Sequence, residues 1–342
     1  MSKWFLVPVA CLALALGLAA CGSEDDDNGG GGQSAQTNTS DTAGSKAPVK
    51  IALSVPAADH GWLAAVSKDA RAIAEDLEGV ELTVNDSATD SAGQADQIET
   101  MINDKPDALV VLPNEGDALT PVAQKATAAG IPVINVDREF STPGAFRTWI
   151  GGDNYGIGWQ AGNYFADELK CKGNVVEIQG LAGISVTELR TQGFADAIKR
   201  RCQDGIKIVA KQPGDFNPDK GLSVMENILQ GEKQIDGVYT HDDDMAEGVI
   251  AAIENANRED EMFLTGAGGS KAIMSRIEEG GLVRATFLYN PTMAASAVKL
   301  AALIARDEGM QDLTEPEVPS RIQVPATTVT KDNVKDHEAL AY

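Results

Sequence analysis

The sequence predicts a doubly wound α/β protein with two parallel-sheet lobes, and three observations carry that expectation. Short apolar runs alternate with amphipathic helical stretches along the body of the chain. Several runs, Ala108-Leu109-Val110-Val111-Leu112 above all, are apolar at every position, as strands covered on both faces must be. After Gly151-Gly152-Asp153-Asn154 the alternation starts afresh, giving two βα series of similar size.

Taken in order, Lys50–Val55 reads as a strand of alternating and branched apolar residues. The stretch Trp62–Leu77 follows as a helix whose apolar face is Leu63, Val66, Ala70, Ile73 and Leu77. Strand Glu81–Asn85, helix Gln94–Asn103, strand Ala108–Leu112, helix Ala118–Ala129 and strand Pro132–Val136 complete the first series. The second runs through helix Gly156–Leu169, strand Asn174–Gln179, helix Thr187–Arg200 and strand Ile206–Lys211. Helix Pro218–Leu229, strand Gly237–Thr240, helix Asp244–Asn255 and strand Met262–Thr265 come next. A last helix, Pro291–Arg306, and a short strand, Ser320–Val324, close the chain.

Ahead of this body stands a different kind of sequence. Lys3 precedes an apolar run from Trp4 to Leu18 that ends in Leu18-Ala19-Ala20-Cys21. A positive residue, an apolar core and small residues before a cysteine form a signal peptide with a lipobox, so Cys21 is expected to carry a lipid. The run falls short of the roughly 20 strongly apolar residues a membrane span needs. From Ser23 to Ala47 the chain is almost wholly small and polar, with Glu24-Asp25-Asp26-Asp27 and a run of glycines from Gly29 to Gly32. Such a composition buries too little apolar surface to offset the entropy of ordering and reads as a tether. The acidic run reads as solvated linker, since nothing there would hold carboxylates in a metal cage.

The formal net charge of −23 argues against nucleic acid, whose phosphates call for a basic face, and against a polybasic membrane surface. Of four cysteines, Cys11 leaves with the signal and Cys21 takes the lipid. Cys171 and Cys202 remain, in an oxidising compartment, each after a predicted helix and before a predicted strand. They are expected to form a structural disulfide, the alternative being two buried thiols.

In open α/β sheets, ligands bind beyond the carboxyl ends of the strands. Asp59-His60-Gly61-Trp62 stands there after the first strand, and Asp137-Arg138 after Pro132–Val136. In the second series the same position holds a glycine-bearing loop leading to Arg190, then Asp215-Phe216-Asn217, then His241-Asp242-Asp243-Asp244. Two aromatics among Asp, Arg, His and Asn suit a polyhydroxylated ligand. Its C–H faces stack on Trp62 and Phe216, and charged side chains make charge-assisted hydrogen bonds to its hydroxyls. Each piece has a plainer use: Asp137-Arg138 as a surface ion pair, His60 as a helix-start residue, Trp62 as core, the aspartates as helix caps. One of the three aspartates is expected to face the ligand.

Catalytic patterns are missing from the sequence. The three histidines, His60, His241 and His337, form no metal-ligand spacing. There is no nucleophile elbow or phosphate loop, and Gly266-Ala267-Gly268-Gly269 lacks the dinucleotide fingerprint. No metal or cofactor is implied.

These residues resemble the ribose-type periplasmic sugar-binding family, the substrate-binding components of ABC importers. The resemblance runs from Lys50 to Val324 through Ile131–Arg138, Gly151–Asn154, Val176–Gly180, Arg190–Phe194, Asp215-Phe216 with Lys220-Gly221-Leu222, and Asp242–Ala246. It implies a type I periplasmic-binding-protein fold, with two lobes joined by a three-crossing hinge and the ligand clamped between them. The implied division is residues 1–20 as signal peptide, 21–47 as linker, 48–152 with 290–320 as one lobe, and 153–289 with 321–342 as the other. Implied ligand-binding positions are His60, Trp62, Asp137, Arg138, Asn154, Arg190, Phe216, Asp242 and Tyr289. Three positions depart from ribose binders: Gly268 replaces an acidic residue, Tyr289 a hinge glutamine, and Asp242 an asparagine. The hydroxyl map is therefore redrawn, and another pentose, a hexose, a polyol or a cyclitol comes into play.

The expected protein is thus a monomeric, lipid-anchored, extracytoplasmic binding protein that closes over a sugar or polyol and docks on an ABC permease. Two alternatives are a sensor feeding a signalling or chemotaxis receptor and an exported sugar-active enzyme. Repressors of the lactose type share the two-lobed fold but begin with a DNA-binding helix-turn-helix, where this chain has a signal and lipobox.

Overall fold

A computed structural model describes residues 48–310 and 317–342. The signal peptide, the lipid-bearing Cys21 and the linker expected within residues 1–47 lie outside the described residues. The first βα series gives β1 (Val49–Pro56), α1 (Gly61–Asp76), β2 (Val80–Ala88), α2 (Ser91–Asn103), β3 (Ala108–Val111), α3 (Gly116–Ala128), β4 (Val133–Val136) and β5 (Thr148–Gly152). The second gives α4 (Asn154–Glu168), β6 (Gly173–Gln179), α5 (Ser185–Cys202), β7 (Ile206–Pro213), α6 (Pro218–Gly231), β8 (Gly237–Thr240), α7 (Asp243–Asn255), β9 (Phe263–Gly268), α8 (Lys271–Glu279) and β10 (Val283–Leu288). The chain then adds α9 (Met293–Ala305), β11 (Arg321–Val324), β12 (Thr328–Thr330) and α10 (Val334–His337).

The strands form two six-stranded sheets, ordered β2-β1-β3-β4-β5-β11 and β7-β6-β8-β9-β10-β12. All pairs are parallel except the antiparallel β10–β12 edge. The apolar runs behave as two-sided burial requires: Leu109, Val110, Val111 and Leu112 are wholly buried. Helix starts carry their own caps. The side chains of Asp90, Asp153, Asn217, Asp242 and Ser270 each accept a backbone N–H of the first turn.

In both sheets the strand order reverses direction between the first and third strands of the series, which opens a crevice at their carboxyl ends. The chain passes between the sheets three times: from β5 to α4, from β10 to α9, and from β11 to β12. α9 packs on α1, β1, β3 and β4, so it belongs with the first sheet.

One expected boundary is corrected. Arg321–Val324, assigned from sequence to the second lobe, pairs with Trp149–Gly152 and so extends the first sheet. The last crossing lies after Val324 rather than before Arg321. The reason is that β11 is an edge strand with Arg321, Gln323 and Val324 exposed, so its own pattern gave no sign of which sheet it joins. Instead its backbone is claimed at both ends, by Trp149 N–H on the Ser320 carbonyl (3.0 Å) and Asp153 N–H on the Val324 carbonyl (2.8 Å).

Five elements beyond those expected from sequence are β5, α8, β10, β12 and α10. β5 ends in Gly151-Gly152, poor strand formers chosen for space: a Cβ at Gly151 would meet the Trp149 ring, and one at Gly152 the Tyr289 ring. Cys171 and Cys202 form the expected disulfide, with Cα atoms 4.8 Å apart, tying the turn after α4 to the end of α5.

Candidate functional site

At the end of β1 the chain turns into α1 through His60, whose ring is held by Asp59 (Nδ1 to Oδ1 2.5 Å). Trp62, on the first turn of α1, donates its indole N–H to the Tyr289 carbonyl at 2.7 Å. Its ring lies parallel to His60 at 6.5 Å between centroids.

After β4, Asp137 adopts a left-handed backbone with φ 62°. That conformation costs a non-glycine residue about 1–3 kcal/mol and persists only where the surroundings impose it. Here Asp137 N–H donates to the Ile150 carbonyl (2.9 Å) while its carbonyl accepts the Trp149 indole (3.0 Å). The next residue, Arg138, donates to the Asn114 carbonyl at 2.7 Å. Its Nε, 3.9 Å from Asp137 Oδ2, is buried without a hydrogen-bond partner.

From the second lobe, Arg190 on α5 donates Nε–H to Asn154 Oδ1 (2.9 Å) and Nη1–H to the His241 carbonyl. Its guanidinium sits 4.6 Å over the Tyr289 ring. Asp215 and Phe216 are both left-handed, φ 56° and 61°. Lys220 pairs with Asp215, and the absence of a side chain at Gly180 makes room for the Phe216 ring, which stacks on His60 at 6.0 Å. Asp242 caps α7 through Met245 N–H (2.8 Å). From the hinge, the Tyr289 hydroxyl donates to Asp137 and accepts from Asn154 Nδ2 (3.1 Å).

His60, Trp62, Asp137, Arg138, Arg190, Phe216, Asp242 and Tyr289 line one cavity between the lobes, with about 330 Å³ of atom-free space. Asn154, expected to touch ligand, does not line it. It stands behind and orients Arg190 and Tyr289. Val186, Ala267 and Gly268 line it too. Gly268 was singled out in the sequence as a departure from ribose binders, whereas Val186 and Ala267 were passed over because an apolar side chain gives no chemical signal.

The three aspartates divide their work. Asp242 lines the cavity as one of the three was expected to. Asp243 is wholly buried, accepting Gly269 N–H (2.6 Å), Ser270 N–H (2.8 Å) and the Thr286 hydroxyl (2.9 Å). Asp244 reaches the other lobe, accepting Trp62 N–H at 3.0 Å. His241 turns away from the cavity and pairs with Glu177 at 2.9 Å, both wholly buried.

Burial is the largest influence on the charges here. It raises Asp137 despite the pull of Arg138, and it lowers Arg138 despite Asp137. Burial also lifts Asp242 to about 6, with His60 pulling down and Asp244 pushing up. For His60 burial acts downward, but the hydrogen bond to Asp59 and the charge of Asp242 outweigh it and hold the imidazole above its ordinary value. Two arginines face two carboxylates, so the cavity is close to charge-balanced and suits a neutral, hydroxyl-rich guest. Among the described residues, no group of three or more His, Cys, Asp or Glu is arranged to hold a metal.

Comparison with known proteins agrees with this geometry. Residues 51–309 match the family model described as periplasmic binding protein domain. The ribose import binding protein of Bacillus subtilis (strain 168) is 31% identical over 260 residues, which are 76% of this chain and 82% of that protein. A xylitol-binding protein of Mycolicibacterium smegmatis is 30% identical over 323 residues, 94% of this chain and 84% of the relative. Among solved structures, the fructose-binding periplasmic domain of a hybrid two-component system superposes with a TM-score of 0.77 at 28% identity, covering 85% of this chain and 93% of that one. The chain therefore belongs to the periplasmic binding protein family, in its ribose-type sugar-binding branch.

Proposed function

We propose that this protein is the lipid-anchored, extracytoplasmic binding component of an ABC sugar importer, closing its two lobes over one monosaccharide or polyol. The observation that carries the reading is the convergence of Asp137 and Arg138 from one lobe with Arg190 and Asp242 from the other on a single buried cavity. Groups divided between hinged bodies make ligand affinity and lobe closure the same event, since a guest touching both favours the closed state. Trp62 and Phe216 supply the two aromatic faces for its C–H surfaces. The protein binds its guest unchanged and presents it to a permease, acting as a monomer tethered through Cys21, with neither nucleic acid nor cofactor involved. The similarity to a ribose import binding protein and a xylitol-binding protein supports the ligand class.

The test is a thermal-shift panel of pentoses, hexoses, polyols and inositols, followed by calorimetry on Arg138→Ala and Asp137→Asn. A true ligand at 100 times its dissociation constant adds about 2.7 kcal/mol of stability. Both variants are expected to lose binding while keeping the fold; unchanged affinity would refute the site.

A second reading, sensing rather than import, is favoured by one observation: the similar fructose-binding domain is part of a hybrid two-component system. Uptake of labelled ligand by cells lacking the protein separates them, because an importer's loss abolishes uptake and a sensor's loss changes only the response.

A further inference from the structure

The polar groups of the cavity are unevenly spread. Asp137, Arg138, Arg190 and Asp242 hold hydrogen-bonding capacity toward a guest, and the Arg138 Nε is buried with no hydrogen-bond partner. The wall made by Ala267, Gly268 and Tyr289 is different. The Gly268 carbonyl accepts Tyr289 N–H at 2.9 Å, and the next N–H, of Gly269, is taken by Asp243 at 2.6 Å. The Tyr289 hydroxyl is spent on Asp137 and Asn154, and its carbonyl on the Trp62 indole. No side chain stands at Gly268, and a Cβ there would lie 2.8 Å from the hydroxyl of Tyr342, a residue that does not line the cavity and whose hydroxyl donates to Asp244 at 3.5 Å. What this wall offers is a methyl group, a glycine and an aromatic ring whose polar tip is tied.

A guest hydroxyl pressed against it would lose its water and find no partner, which disfavours binding. A hydrogen, methylene or methyl group at the same place would lose nothing. We propose that the ligand presents an unhydroxylated edge to Ala267, Gly268 and Tyr289, as a deoxy sugar or deoxy polyol does, while neighbouring hydroxyls meet Asp137, Arg138, Arg190 and Asp242. This rests on the sugar-binding reading above and narrows its ligand class.

The experiment titrates the full chain by calorimetry with pairs that differ in one hydroxyl: D-galactose and D-fucose, L-mannose and L-rhamnose, D-ribose and its 2-deoxy and 5-deoxy forms. The deoxy member of the tightest pair is expected to bind about 10- to 100-fold more tightly, the discrimination such a wall achieves. A parent sugar that binds equally or better overturns the inference and leaves the sugar-binding reading standing. Failure of every sugar and polyol tested overturns both. Ala267→Ser adds one oxygen to the wall, and Tyr289→Gln replaces the tied phenol with a free amide. Each, once its melting curve shows it folded, should shift the ratio toward the hydroxylated member by at least tenfold. An unmoved ratio in both folded variants overturns the assignment of this wall.

Discussion

The carboxylate of Asp244 accepts a hydrogen bond from the backbone N–H of Trp62 at 3.0 Å, joining α7 of one lobe directly to the start of α1 in the other. The approach is possible because residue 61 is glycine: a Cβ there would lie 2.8 Å from Asp244 Oδ1. The bond also satisfies one of the free N–H groups of the first turn of α1, where the helix dipole favours a negative charge. Asp244 does not line the cavity, so its contribution to affinity runs through closure alone.

Asp244→Ala should therefore weaken ligand binding about tenfold, the lower end expected for losing a hydrogen bond to a charged group. Small-angle scattering of the ligand-free variant should show a larger radius of gyration than the parent. Equal affinity and equal dimensions would remove Asp244 from the closure machinery.

Phe216→Ala should cost the site its stacking face from the second lobe. The ring is 93% buried between Gly180 and His60, and its left-handed backbone fixes where it points. A drop in affinity of roughly 10- to 100-fold is expected from the lost aromatic contact. Calorimetry on a variant with an unchanged far-ultraviolet spectrum checks it.

The bond between Cys171 and Cys202 closes a loop of residues 31 apart in sequence. Converting both to serine should lower stability by about 3–4 kcal/mol, mainly by freeing the unfolded chain. Urea unfolding of the double variant measures this, and ligand affinity should stay as it was, because the bond lies at the opposite end of α5 from Val186 and Arg190.

Asp243 gives a pH dependence whose sign follows from its surroundings. Burial, together with the Asp242 charge, lifts it to about 7 against the pull of its hydrogen bonds, from an ordinary value of 3.8. Below pH about 7 the folded chain keeps a proton there that the unfolded chain has released. This contribution to stability is present at low pH and is lost as pH rises through 7. Between pH 6.5 and 8 the parent should lose stability, on the order of 1 kcal/mol, relative to Asp243→Asn. Parallel stability curves for the two proteins over that range would show that Asp243 does not titrate there.

Much of the site was legible because its chemistry is carried by side chains at strand ends. Once the βα alternation gave the strand directions, Asp137-Arg138 and Asp242 had to gather at one end of their sheets. Asn154 stands behind the lining rather than in it, a difference the sequence hides because an amide that orients two neighbours and one that grips a ligand look alike there. Gly268 and Tyr289 stood out in the sequence as departures from ribose binders, but the apolar character of the wall they form with Ala267 did not, since it depends on polar capacity already consumed by other residues.

The alternation of buried runs with amphipathic helices, by itself, determined the two α/β lobes, since parallel strands covered on both faces leave that pattern and few others. Tertiary structure alone decided which sheet Arg321–Val324 joins, which of three adjacent aspartates faces the cavity, and that Asp244 spans the lobes. Those outcomes depend on pairings between residues far apart in the chain, whose partners come within reach only after the sheets have formed.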